Sequence, residues 1–211
     1  MGTEDWYCNT SWDADIEAAF NGKLARTRSQ KAQYLRIQGS ILKDSHPGAA
    51  IELLQRCVAE GDDFHVAHAY LDMAHAQYVR GDVQAALAAL EAALEQEKRQ
   101  PTVRTTAAYD YAFLVALHGI EERYGLSIAL LDREGVGFLP SMIFEAEAAK
   151  ALIFAAWQRH QEAQQAARHA LAAGAVEVGW IPGHPAAGLV PLVDTPLHRR
   201  LQAIAQGNLA P

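Results

Sequence analysis

The chain has 211 residues, half of them hydrophobic, and a formal net charge of −7 at pH 7. That length is sufficient for one sizeable core or for a short stack of small units that share a core. The acidic balance argues against a general nucleic-acid-binding protein, because such proteins need basic surface to neutralise phosphates.

From the sequence we expect neither a targeting signal nor a cysteine framework. The opening MGTEDWYC is acidic and lacks the basic start and apolar core of a signal peptide, and no apolar run is long and charge-free enough to cross a bilayer. Cys8 and Cys57 are too few for a disulfide framework or a cysteine-rich zinc site. We therefore expect a cytoplasmic protein with no membrane or nucleic-acid partner and no cofactor.

Helix-forming residues dominate the chain, and most glycines and prolines fall between the periodic segments rather than inside them. Alternating β-branched stretches, which would indicate strands, are nearly absent. The pattern predicts helices near residues 13–27, 29–43, 48–60, 65–79, 83–98, 103–119, 122–134, 141–157, 160–173 and 196–206.

The first predicted helix, within residues 1–28, has the features of a cap over one end of a core. Thr10 is the expected N-cap, with Asp13 three residues later. Ile16, Phe20 and Leu24 form an apolar stripe at four-residue spacing. We expect Trp6, Trp12 and, near the other end of the chain, Trp180 to seal the exposed ends of the core.

Residues 29–173 contain a repeating pattern of small residues. After the turn RGD at 80–82 come Ala86, Leu90 and Ala93, which share one helix face. Ala50, Leu54 and Cys57 stand in the same relation one repeat earlier. Ala163, Ala167 and Ala170 repeat it later, and a poorer copy begins at Ser127. The interval is about that of a 34-residue helical hairpin.

This pattern resembles the tetratricopeptide repeat (TPR) family, most fully through Tyr70, Ala74, Gly81, Ala86 and a displaced Pro101. In such hairpins small side chains let two helices cross closely, and Gly81 suits a helix end that needs a left-handed residue. Repeat one departs from the pattern, since it has Gln38 where a small residue is expected. The flanks, from NTSW to HPAAGLV, resemble a group of bacterial TPR-containing proteins, and this resemblance implies the fold without an activity.

The last segment, 174–211, is predicted to be a loop followed by a capping helix. Thr195 is the expected N-cap, Pro196 the first helical residue and Gly207 the stop. The whole chain, 1–211, is thus predicted to be a single all-α domain. We expect a right-handed α-α superhelix of about four TPR-like hairpins with a capping helix at each end.

The TPR resemblance also implies a binding groove. In TPR hairpins the first helix lines the concave side through its second and ninth positions, which here are His68 and His75. Tyr78 follows on the same side, and the later repeats place Tyr109 and Glu145 there. Together with Asp72, these residues would form hydrogen bonds to an extended or helical peptide.

The same helix permits a second interpretation. His68, Asp72 and His75 are spaced four and three residues apart and so share one face. Two imidazoles and a carboxylate in that relation are zinc ligands in other proteins. A metal-binding protein that uses these three residues is therefore the alternative hypothesis.

A basic stretch, KLARTRSQKAQYLR, concentrates Lys23, Arg26, Arg28, Lys31 and Arg36. A solvated helix face explains such a stretch, and docking of an acidic partner or of a phosphate are the alternatives.

No coherent set of catalytic residues is found in the sequence. We therefore predict a non-enzymatic scaffold or adaptor that binds another polypeptide in its groove. The final helix packs either on its own chain or on a second copy, so a homodimer is also considered.

Overall fold

The computed structural model describes residues 6–179, 181–184, 186–190 and 195–208. The chain forms two compact units. The first unit ends at Ala107, and the second begins at Ala108.

The described residues form ten α-helices and one short 3-10 helix, Glu121–Arg123, with no strand among them. The all-α prediction is therefore confirmed, and every predicted helix is present. The helices are α1 (Ala14–Leu24), α2 (Lys31–Leu42), α3 (Pro47–Ala59), α4 (Asp63–Val79), α5 (Val83–Arg99), α6 (Ala107–Leu117), α7 (Tyr124–Glu134), α8 (Pro140–Ala156), α9 (His160–Gly174) and α10 (Pro196–Ala205).

Side-chain caps start several helices. Asp13, not Thr10, is the N-cap of α1, and its Oδ1 accepts hydrogen bonds from the backbone N–H groups of Asp15 and Ile16. The prediction for Thr10 was wrong because a nearer carboxylate satisfies these first N–H groups. Thr195 caps α10 as predicted, with Pro196 as the first helical residue.

Small residues allow close helix pairs in the first unit. There α2 packs on α3, α3 on α4 and α4 on α5. Ala74 of α4 and Ala86 of α5 are both buried, as the crossing of the hairpin requires. Gly81 joins these two helices with a φ of +81°, a left-handed conformation that glycine adopts without strain.

Gly39 of α2 lies very close to α3. A Cβ added there would lie 2.7 Å from Cγ of Leu54 and 3.3 Å from the carbonyl oxygen of Ala50, both in α3. Glycine therefore sets the distance between α2 and α3.

We expect Gly39→Ala to lower the free energy of unfolding by about 1–2 kcal/mol, because overpacking outweighs the better helix propensity of alanine. Gly22→Ala in α1 is the matched control. A Cβ there meets only the Arg26 guanidinium at 4.0 Å, so this change should stabilise the protein by up to about 1 kcal/mol. Urea unfolding of both variants checks the opposite signs, and a stabilised Gly39→Ala would contradict the close approach.

The structure explains why Gln38 stands where the repeat pattern expects a small residue. Its buried amide accepts from the backbone N–H of Asn9 at 3.0 Å and donates to the Asn9 carbonyl at 2.7 Å. The ring of Trp6 packs nearby on Phe20 and Tyr34, with centroids 5.3 and 5.0 Å apart. Gln38 thus anchors the segment before α1 onto α2.

In the second unit α7 packs on α8, α8 on α9, and α10 on both α8 and α9. Alanines of α9, among them Ala163, Ala167 and Ala170, are fully buried. Leu201 and Ile204 of α10 complete this core. Trp180, predicted to seal an end, lies outside the described residues.

Within the described part of the chain, no helix combines the length and apolar character needed to cross a membrane.

Candidate functional site

One face of α4 presents a row of five side chains to solvent, four of which are aromatic or imidazole rings. Phe64, His68, Leu71, His75 and Tyr78 recur at intervals of three and four residues, and none of them is buried. Phe64 is 62% exposed and Tyr78 is 39% exposed, and the side chain of His75 is 47% exposed. We call these five residues the α4 stripe.

The other side of α4 explains why the stripe faces solvent. Val66, Ala67, Ala69, Met73 and Ala76 are buried against the neighbouring helices α3 and α5. Burial of that apolar side fixes the rotation of the helix about its axis. The stripe is therefore held on a rigid element.

Asp72 lies beside the stripe, but it is buried. Its Oδ1 accepts a hydrogen bond from Nζ of Lys43 at 2.6 Å, and its Oδ2 lies 3.6 Å from Nη1 of Arg36. Burial of a carboxylate requires such partners. The prediction that Asp72 faces a bound peptide is corrected accordingly: its charge ties α4 to α2.

His75 is also linked to the end of α2. Its Nε2 lies 2.6 Å from Oδ1 of Asp44, which follows α2 in the chain. His68 has its ring 6.1 Å from that of Phe64. The two histidines predicted to bind a partner, His68 and His75, are therefore accessible and held in defined positions.

The predicted residues Tyr109 and Glu145 belong to the second unit. Tyr109 is only 5% exposed, and its hydroxyl donates to the Gly135 carbonyl at 3.4 Å. The prediction that Tyr109 is offered to a partner is therefore corrected, because the ring contributes to the interior. Glu145 is half-buried on α8.

Glu145 forms a carboxyl pair with Asp110 of α6. Burial, the nearby charge of Asp110 and a side-chain hydrogen bond between the two raise the pKa of Glu145 to about 9. Two carboxylates in contact cannot both ionise easily. The pair therefore retains a proton at neutral pH.

Nothing in this geometry favours the zinc alternative. Among the described residues, no group of three or more His, Cys, Asp or Glu side chains is arranged to hold a metal ion. Asp72 is already neutralised by two cations. Cys57, a further possible ligand, is fully buried, and burial raises the pKa of its thiol to about 12.

The sequence interpretation missed two residues. Phe64 was overlooked because the predicted helix began at residue 65, although its spacing from His68 extends the stripe by one turn. Asp110 adjoins the predicted Tyr109, but a contact between α6 and α8 leaves no signal in a single sequence. His65, next to Phe64, is partly buried, and this burial lowers its pKa.

Comparisons of the chain with family models, with curated proteins and with solved structures give no significant match. Membership of the TPR family therefore stays a prediction.

Proposed function

We propose that the protein is a non-enzymatic, TPR-like interaction module of the cytoplasm that binds a segment of another polypeptide along the α4 stripe. The observation that supports this proposal is that the α4 stripe, with four rings among its five side chains, is accessible on a helix whose opposite side is buried.

The side chains of the stripe suit a polypeptide ligand. Phe64 and Tyr78 offer apolar area near the two ends of α4, and aromatic side chains are enriched among residues that dominate binding energy. His68 and His75, between them, supply hydrogen-bonding groups for a peptide backbone or polar side chain. Because α4 packs on α2, α3 and α5, binding requires little rearrangement.

The test begins with co-purification of the tagged chain from its native cells and identification of the partner by mass spectrometry. Calorimetry then compares the wild type with a Phe64→Ala/His75→Ala double variant. We expect at least about tenfold weaker binding, with nearly unchanged thermal stability because both side chains are exposed.

Glu52→Ala and Gln55→Ala serve as controls, since both residues are exposed in the same unit but lie on α3 rather than on α4. They should bind the partner as the wild type does. Unchanged affinity of the double variant would place the binding site elsewhere.

A further inference from the structure

The longest acid-free part of the sequence surrounds the turn between α1 and α2. No Asp or Glu occurs from residue 18 to residue 43, although the chain as a whole carries a charge of −7. Lys23, Arg26 and Arg28 in this stretch are exposed. We call these three residues, with Lys31, the basic turn.

A cavity of about 390 Å³ opens beside the basic turn, a volume within the range of ligand pockets. It lies among α1, the start of α2 and the end of α3. Its lining combines an apolar part with charged and polar groups: Asn21, Leu24, Ala25, Lys31, Arg56 and Glu60.

The cations at this cavity differ in how firmly they are held. Nη1 of Arg56 donates to Oδ1 of Asn21 at 3.0 Å, which fixes the guanidinium against α1. In the adjacent basic turn, outside the lining, Nε of Arg26 donates to the Gly22 carbonyl. Lys31, which is half-buried at the start of α2, forms no ion pair with a described carboxylate. Its charge is therefore available to an anion.

We propose that this cavity binds a carboxylate side chain from an acidic segment of the partner polypeptide, an inference that rests on the proposed function. Lys31 and Arg56 are the donors for the carboxylate, and Leu24 and Ala25 contact the methylene groups that carry it. The basic turn then attracts neighbouring acidic residues of the same segment.

The charges of the surroundings favour a short acidic peptide over a nucleic acid. Glu60 repels an anion from one side of the cavity, which directs a single carboxylate toward Lys31 and Arg56. A peptide that alternates acidic and apolar residues satisfies both the charged and the apolar parts of the lining.

The experiment measures fluorescence anisotropy of a labelled peptide that alternates glutamate and alanine, with the full chain at low salt. We expect binding that weakens as salt is added. The Lys31→Gln/Arg56→Gln variant should bind roughly tenfold more weakly. The Arg80→Gln/Lys98→Gln variant removes the same charge from the same unit and should bind within about twofold of the wild type.

The proposal is overturned if the peptide does not bind, or if the cavity variant and the control double variant weaken binding equally. It is also overturned if a single-stranded oligonucleotide of equal length binds more tightly than the peptide and the cavity variant abolishes that binding. If Phe64→Ala/His75→Ala weakens peptide binding and the cavity variant does not, the acidic segment lies on the α4 stripe. The cavity proposal then fails while the proposed function stands. Lys31→Gln alone repeats the test should the double variant unfold.

Discussion

The second unit should lose stability as the pH rises from about 5 to about 9, and Glu145→Gln should remove most of that loss. The pKa of Glu145 in the folded chain is about 9, above its ordinary value of 4.5. Between these values the folded protein retains a proton that the unfolded chain releases. The stabilisation is therefore fully present below about pH 4.5 and is lost as the pH approaches 9.

The expected slope is up to about 1.4 kcal/mol per pH unit. Because Glu145 is only half-buried, we expect a total loss on the order of 3–5 kcal/mol. Glutamine imitates the protonated carboxyl, so the variant should match the wild type near pH 5 and exceed it at pH 9. The measurement is urea unfolding across this pH range.

Glu122→Gln is the matched control, since Glu122 is an exposed carboxylate of the same unit. It should keep the slope of the wild type. A wild-type stability that rises from pH 5 to pH 9, or a Glu145→Gln variant with an unchanged slope, would show that the pair with Asp110 does not hold a proton.

The helices were predictable because local chemistry determines where they begin and end. Glycine, proline and short polar residues separate segments of strong helix formers, and in the hairpin around Gly81 the turn residue, the small crossing residues and the apolar period agree with one another. Thr10 shows the limit of this reasoning. Two polar residues three positions apart were both acceptable caps, and only the backbone geometry selects Asp13.

The site was less predictable because the burial, the partners and the pKa values of its residues depend on contacts with residues distant in sequence. The spacing of His68, Asp72 and His75 places them on one helix face, but it does not show that Lys43 and Arg36 of the α2 region enclose Asp72. Similarly, the TPR resemblance predicts that Tyr109 lines a groove, yet its ring is buried. The raised pKa of Glu145 comes from its burial and from Asp110, which is 35 positions away in the chain.

Asp72 gives the first unit a connection that the predicted TPR pattern alone does not supply. The backbones of α2 and α4 approach each other directly, and the charge pair fixes their relative position beside the stripe. Asp44 adds a second link, to His75. The arrangement of the stripe therefore depends on the end of α2 as well as on α4.

Asp72→Asn should consequently destabilise the protein far more than the loss of an exposed charge. The substitution leaves Lys43 and Arg36 without their carboxylate, and both side chains are about three-quarters buried. Breaking a buried ion pair costs about 3–5 kcal/mol. Since the two cations keep some contact with water, we expect a loss of about 2–3 kcal/mol in the free energy of unfolding at pH 7.

Glu95→Gln is the comparison, because Glu95 pairs with Lys98 and Arg99 on the surface of α5 and is 51% exposed. That change should cost less than about 0.5 kcal/mol. A double variant, Asp72→Asn with Lys43→Met, should recover part of the loss, since it removes the unpaired cation together with the carboxylate. If the two changes instead add without recovery, the Lys43–Asp72 contact does not hold α2 and α4 together, and the stripe is positioned by apolar packing alone.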